Sequence, residues 1–291
     1  MKILLTGASG FTGVPFAIQA RSAGHEVVAL DCDLNDKVEI KRQVLAAAPD
    51  AVVHLAAISF VGQADDQAFY AVNVVGTLNL LDALLALPRL PRRVLLASSA
   101  NIYGNCAASP IGESEPPAPM NHYAMSKLAM EYMARNYVER LPLVVTRPFN
   151  YTGEGQALHF LVPKLVSHFA QRAPVIELGN LHVEREFNDV TMVCSAYLNL
   201  IEHGHPGETY NICSGLAYTL QHLIDLLTHI TGHRLEVRVN PSFVRKGEVH
   251  RLCGNPAKLQ RLLSGNGAEM HNPPLEQTLR RMLAAMDPGH A

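Results

Sequence analysis

The sequence carries no excess of charge of either sign, no paired cysteine motif and no long apolar run. Its 24 Lys and Arg stand against 26 Asp and Glu, for a formal net charge of −2 and a pI near 6.7. Such a chain has no global basic field to draw it to nucleic acid or an anionic membrane. An anionic small-molecule ligand must then be met by a few placed arginines. The five cysteines, Cys32, Cys106, Cys194, Cys213 and Cys253, are odd in number and widely spaced, with no C-x-x-C pair. This argues against a disulfide frame or a zinc site, so no metal is expected, and it suggests reduced, cytoplasmic thiols. No stretch of about 18 apolar residues marks a membrane span. The apolar start, Met1–Leu5, is too short for a secretory signal. Internal repeats and low-complexity linkers are also missing.

What is present is a globular composition: 48% hydrophobic and 17% charged over 291 residues. That supports a sizeable core in one large or two intimately joined domains. Short runs rich in Val, Leu and Ile, at Ile3–Leu5, Val27–Leu30, Val52–Leu55, Val94–Ala97 and Leu143–Thr146, have the length and buried character of parallel strands. Helix-like stretches separate them: Thr12–Ala23, Val38–Ala48, Ala68–Ala86 and His122–Glu139. The alternation predicts an α/β fold, a Rossmann-type doubly wound parallel sheet. From residue 151 to 187 the pattern is irregular. Beyond it, Thr191–Glu202 reads as a helix, Thr209–Cys213 and Leu235–Val239 as strands, and Leu275–Ala285 as a last helix. The expected division is a dinucleotide-binding domain over 1–150, rejoined by about 188–217, and a smaller substrate domain over 151–291.

Thr6-Gly7-Ala8-Ser9-Gly10-Phe11-Thr12-Gly13 lies between the first strand and the first helix. In a dinucleotide site the first glycine makes a tight turn. The second lets backbone amides approach a pyrophosphate, and the third lets helix and strand pack closely. Phe11 and Thr12 then open the helix whose free N–H groups and dipole favour the anion. Asp31 closes the second strand, where an acid would hold the adenosine ribose hydroxyls. No basic residue follows it until Lys37, which favours NADH slightly over NADPH. Asp33 and Leu34 are further candidates to border the adenine.

Tyr123 and Lys127 are four residues apart, on one face of the predicted helix. A nearby ammonium favours phenolate, so Lys127 is expected to lower the Tyr123 pKa and fit it for proton transfer to a carbonyl oxygen. Ser99 follows the Val94–Ala97 strand, just past its carboxyl end, where a parallel sheet faces the cofactor cleft, and is placed to hydrogen-bond the same carbonyl.

Together the glycine turn, Ser99 and the Tyr123/Lys127 pair resemble the extended short-chain dehydrogenases/reductases, over nearly the whole chain. His54-Leu55-Ala56-Ala57, Asn73-Val74-Val75-Gly76-Thr77 and Arg147-Pro148-Phe149-Asn150 agree. The resemblance implies a Ser-Tyr-Lys triad, cofactor contacts at Leu55, Ala56, Ala57, Asn73 and Pro148, and a nucleotide-sugar pocket in the C-terminal part. The stretches 147–156, 179–181 and 185–190 are similar to a narrower branch, the GDP-4-keto-6-deoxy-D-mannose reductases, which form GDP-D-rhamnose. By that resemblance Arg185 and Arg245 bind the substrate diphosphate, a role suited to a guanidinium fork. Asn150, Phe160, Val162 and Asn180 shape the pocket, and Glu248 holds ribose hydroxyls.

Two departures stand out. Related 4,6-dehydratases carry a Glu, often after an Asp, in the two positions after the catalytic Ser or Thr; here these are Ala100 and Asn101, which disfavours dehydration. His122 occupies the position where the family usually has proline, and is a candidate to line the pocket or a surface residue. The expected activity is therefore reduction of a 4-keto nucleotide sugar. The rivals are a nucleotide-sugar 4-epimerase with tightly held NAD, a reductase of a dTDP-4-keto-6-deoxy sugar, and a nucleotide sensor without chemistry. A homodimer through the Ala68–Ala86 and His122–Glu139 helices is the expected assembly, as in relatives.

Overall fold

The computed structural model describes residues 1–59, 65–244 and 248–286. In chain order the first half reads β1 (Lys2–Thr6), α1 (Gly13–Ser22), β2 (Glu26–Leu30), α2 (Lys37–Ala47), β3 (Ala51–His54), α3 (Asp66–Tyr70), α4 (Thr77–Leu85), β4 (Arg93–Ala97), α5 (His122–Ala134) and β5 (Leu143–Pro148). It continues through β6 (Tyr151–Thr152), α6 (Leu161–Ala170), β7 (Val175–Leu178), β8 (Glu184–Glu186), β9 (Asn188–Asp189) and α7 (Val190–His203). The last part holds β10 (Thr209–Ile212), β11 (Ala217–Thr219), α8 (Leu220–Thr231), β12 (Glu236–Val239), β13 (Arg251–Leu252), α9 (Ala257–Gly265) and α10 (Leu275–Ala284).

Six strands form one sheet in the order β10-β5-β4-β3-β1-β2, and every neighbouring pair is parallel. Helices cover both faces, so alternate side chains of each strand enter different cores. Ile3, Leu5, Val53, Leu95 and Val144 pack with α1 and α7. Leu4, Val52, Val94 and Leu96 pack with α2, α4 and α5. Each such aliphatic side chain contributes about 1.5–3 kcal/mol when fully buried. A third core joins α6, α8 and α10 to β7 and β12. The order reverses between β1 and β3, the point where doubly wound sheets open a crevice at the strands' carboxyl ends.

Several element starts are written in capping side chains. Asp36 accepts from Val38 N and Glu39 N at α2, Asn121 from Ala124 N at α5, and Asp189 from Thr191 N at α7. Between α3 and α4 the chain widens into a π-helical stretch, Ala71–Gly76. The combined helical span Asp66–Leu85 is long and apolar enough to cross a membrane. It is also 56% buried, and Leu80, Leu81 and Leu84 lie in the sheet's core, as in the core helix of a globular domain. The stretch 151–187, expected to be irregular, contains α6, β7 and β8. Their short lengths, with Pro163 and Pro174 interrupting the pattern, hid the periodicity. Helix α9 was likewise not expected.

Candidate active site

The glycine turn wraps the carboxyl end of β1. Gly7 adopts φ +67°, and a Cβ there would meet Ala56 N at 2.8 Å. At Gly13 a Cβ would meet Gly7 O at 2.0 Å, so the α1 start can lie against the turn only as glycine. Thr12 gives α1 no side-chain cap. Its hydroxyl pairs instead with Tyr151 Oη at 2.8 Å. Gly7, Gly10, Phe11, Thr12 and Gly13, with Leu55, Ala56 and Ala57 after β3, line a crevice of about 520 Å³. Its far wall holds Ser99, Tyr123, Lys127 and Pro148. The buried Ser98 Oγ in this wall has no hydrogen-bond partner. An uncapped helix start behind a glycine cradle, opposite an unpartnered hydroxyl, fits a nicotinamide dinucleotide.

Behind the crevice runs a buried hydrogen-bond chain. Thr6 Oγ1 accepts from Leu55 N and Ala56 N at 3.1 and 3.0 Å. Its own proton is then left for His54 Nδ1, 2.7 Å away. His54 Nε2 lies 2.9 Å from Thr77 Oγ1, which donates to Asn73 O. Asn73 binds Ile58 N and Ile58 O and donates to Ser126 Oγ, and Ser126 donates to Tyr123 O. Burial first, and the Lys127 charge second, push His54 down to about 3, so it is a neutral structural residue. Asn73 spends its amide in this chain. It is not among the residues that line the crevice.

Ser99, Tyr123 and Lys127 meet as expected, all buried. Ser99 sits where β4 gives way to a 3₁₀ turn, and Tyr123 and Lys127 lie on α5. Lys127 Nζ donates to Ala97 O at 2.7 Å. Burial lowers its pKa to about 8, opposed by the Glu131 carboxylate one helical turn on. The expected tuning of Tyr123 by Lys127 is not what the geometry shows. Burial raises the Tyr123 pKa, and the opposing influence is a hydrogen bond from Ser99. The ammonium spends one of its three donors on the Ala97 carbonyl.

The adenine-side candidates lie past the end of β2 and are not among the residues that line this crevice. Asp31 is exposed just past β2, its backbone bridged to Gln43. Asp33 is exposed and accepts from Asn35 N and Nδ2. Leu34 is 6% exposed and packs against Gly76. It packs in the α2/α4 core.

A second cleft of about 560 Å³ adjoins the first, and Ser59, Asn101, Asn150, Tyr151, Gln156 and Phe160 line both. Val162, Asn180, Arg185 and Glu248 line the second. Asn150 Oδ1 is buried without a partner at the junction, which leaves it for a ligand donor. Arg185 forks onto Glu248 at 2.7 Å and onto the carbonyls of Glu184, His250 and Val249, so Glu248 holds a guanidinium in this state. Arg245 lies outside the described residues. His122 does not enter either cleft. It is exposed, 2.9 Å from Tyr70 Oη and 3.4 Å from Asp66. Tyr151, Gln156, Ser59 and Ser98 were not foreseen; only the position of Tyr151 beside Asn150 in sequence hinted at a role.

A model of the GDP-mannose 4,6 dehydratase family matches residues 17–265. A GDP-6-deoxy-D-talose 4-dehydrogenase of Aggregatibacter actinomycetemcomitans is 38% identical, over 91% of this chain and 92% of its own length. A GDP-6-deoxy-D-mannose reductase of Pseudomonas aeruginosa is 35% identical, over 89% of each. The structure of RMD from P. aeruginosa with NADPH superposes with TM-score 0.89 at 33% identity, over 98% of both chains. A Burkholderia cenocepacia J2315 crystal structure, proposed to be an epimerase, gives TM-score 0.91 at 46% identity, over 98% of this chain and 97% of that one. Crevice, triad and family match agree: this chain belongs to the GDP-mannose 4,6 dehydratase family, among the extended NAD(P)-dependent short-chain dehydrogenases/reductases.

Proposed function

We propose that this enzyme uses NAD(P)H to reduce the 4-keto group of GDP-4-keto-6-deoxy-D-mannose, forming GDP-D-rhamnose. The observation that carries the reading is the triad's position. Ser99, Tyr123 and Lys127 line the glycine-turn crevice, and the adjoining residues Asn101 and Asn150 also line the second cleft. Neutral Ala100 and Asn101 follow Ser99, so the acid and base of a dehydration are missing at those positions.

A bound reduced nicotinamide supplies a hydride to the carbonyl carbon. Ser99 and Tyr123 meet the carbonyl oxygen, and the Tyr123 proton goes to the oxygen as its charge develops. A raised Tyr123 pKa suits this direction, because the phenol stays protonated until the alkoxide forms. Lys127 holds the cofactor ribose. Asp31 and Asp33 place two exposed acids past β2, where a 2′-phosphate would be repelled, and NADH is the proposed cofactor. The P. aeruginosa structure with NADPH makes this a point to measure. The named Aggregatibacter relative favours a second product, GDP-6-deoxy-D-talose, which differs only in the face of hydride attack. Exposed Met125 and Tyr132 of α5, with exposed Val75 of the π-helical stretch Ala71–Gly76, form the proposed homodimer face.

The test is oxidation of NADH and NADPH, in parallel, with GDP-4-keto-6-deoxy-D-mannose and with dTDP-4-keto-6-deoxy-D-glucose. Turnover with the GDP sugar alone is expected, faster with NADH. Tyr123→Phe is expected to lose at least about 10²-fold. Proton NMR of the product separates the two sugars, since H3–H4 coupling is large in the rhamnose and small in the talose. No oxidation with either sugar would sink the reductase reading.

A further inference from the structure

The Ser99 oxygen receives two hydrogen bonds from one residue. Asn101 donates its backbone N–H and its side-chain Nδ2–H, each at 3.2 Å. The first is an ordinary cap of the 3₁₀ turn. The second is not needed by the turn. A hydroxyl oxygen has two acceptor sites and one proton. With both acceptor sites filled, the Ser99 proton can only point away from Asn101, toward Tyr123 and the cleft. Ser99 is 4% exposed, so water offers little alternative. Asn101 itself lines both clefts, in the position directly between the triad and the sugar side.

Resting on the reductase reading above, we propose that Asn101 is a positioning residue that makes Ser99 an obligatory donor to the carbonyl oxygen. The side chain acts through Ser99 and does not itself exchange a proton. A carboxylate in the same place would reverse the polarity. It is acceptor-only when ionised, so it would draw the Ser99 proton toward itself and leave the substrate oxygen facing lone pairs. The amide therefore suits a site that stabilises a developing alkoxide and has no water to eliminate.

Asn101→Asp keeps the shape and reverses the hydrogen bond, and Asn101→Ala removes the side-chain donor while the backbone donor stays. With GDP-4-keto-6-deoxy-D-mannose, Asn101→Asp is expected to lower kcat about 10²-fold, as for loss of an oxyanion donor. Asn101→Ala should lower it only about five- to tenfold. In both, KM and the dissociation constant of the reduced cofactor, read by the cofactor's own fluorescence, should stay within about threefold of wild type. The decisive readout is a cycle with Ser99→Ala: in that background Asn101→Asp should add less than about threefold. Wild-type kcat in Asn101→Asp would put the amide oxygen, rather than its N–H, on Ser99 and overturn the proposal. So would a full additional loss in the Ser99→Ala background, or a cofactor affinity that collapses with kcat, which would show a structural role. An inactive wild-type enzyme would overturn the function reading beneath it, whereas an active wild type with indifferent Asn101 variants removes this inference alone.

Discussion

At the scale of single residues, burial sets the chemistry more than charge does. Tyr123 and Lys127 are both moved away from their charged forms by desolvation, although the sequence spacing suggested that one would tune the other. The spacing of four correctly placed both side chains in one crevice. It could not show that Lys127 would spend a donor on Ala97 O, because that carbonyl comes from a strand about 30 residues away in the chain. His54 is the clearest case with a measurable consequence. Its pKa falls from 6.5 unfolded to about 3 folded. Between those values the unfolded chain binds the proton and the folded chain does not. Stability is therefore complete above pH 6.5 and declines as pH falls toward 3, by up to about 1.4 kcal/mol per pH unit. Denaturant unfolding at pH 7, 6 and 5 should show this slope, before most carboxylates titrate. In His54→Gln the pH 7 stability should be lower and the slope between pH 6.5 and 5 shallower. An unchanged slope would mean that His54 does not carry it.

At the scale of elements, the turn between β1 and α1 is the most legible feature, because glycine alone satisfies its sterics. A grading follows from the space around each glycine. A Cβ on Gly13 meets backbone at 2.0 and 2.8 Å, one on Gly10 meets Gly7 O at 3.2 Å, and one on Gly24 meets nothing within 4 Å. Gly13→Ala should abolish measurable binding of the reduced cofactor and destabilise the fold. Gly10→Ala should weaken binding about tenfold or less. Gly24→Ala pays only for its φ of +82°, about 1 kcal/mol, and should bind cofactor normally. Equal cofactor affinity in Gly13→Ala and Gly24→Ala would refute the role given to the turn. The central strands β1, β3, β4 and β5 of the large sheet were legible for a related reason: buried on both faces, they read as near-continuous apolar runs. The elements of 151–187 were not, because α6, β7 and β8 each bury one face against partners distant in sequence. Arg185 was legible, by the family resemblance, as a cation for the substrate diphosphate, but acceptors that hold it come from residues 184 and 248–250, and no local pattern announces them.

At the scale of the molecule, the two layers are tied by carboxylates that the sequence reading passed over. Glu186 of β8 is fully buried. Its Oε2 accepts from Asn188 Nδ2, Ser214 N and Ser214 Oγ, and its Oε1 from Gly254 N. Ser214 follows β10 of the six-stranded sheet and Gly254 follows β13 of a three-stranded sheet ordered β11-β8-β13, so one side chain holds both. Three residues later Asp189 caps α7 and receives Thr278 and Arg281 from α10. A chain crossed in this way should unfold as one unit rather than as two domains. Glu186→Gln is the sharp probe. It keeps the volume but turns one acceptor into a donor among four inward-pointing donors, so at least one buried N–H loses its partner. The cost is expected at about 2–4 kcal/mol, with a single transition whether followed by far-ultraviolet circular dichroism or by release of bound cofactor. Two separated transitions in the wild type, with only the later one moved by Glu186→Gln, would show that the layers fold independently and that the carboxylate clamps one of them alone.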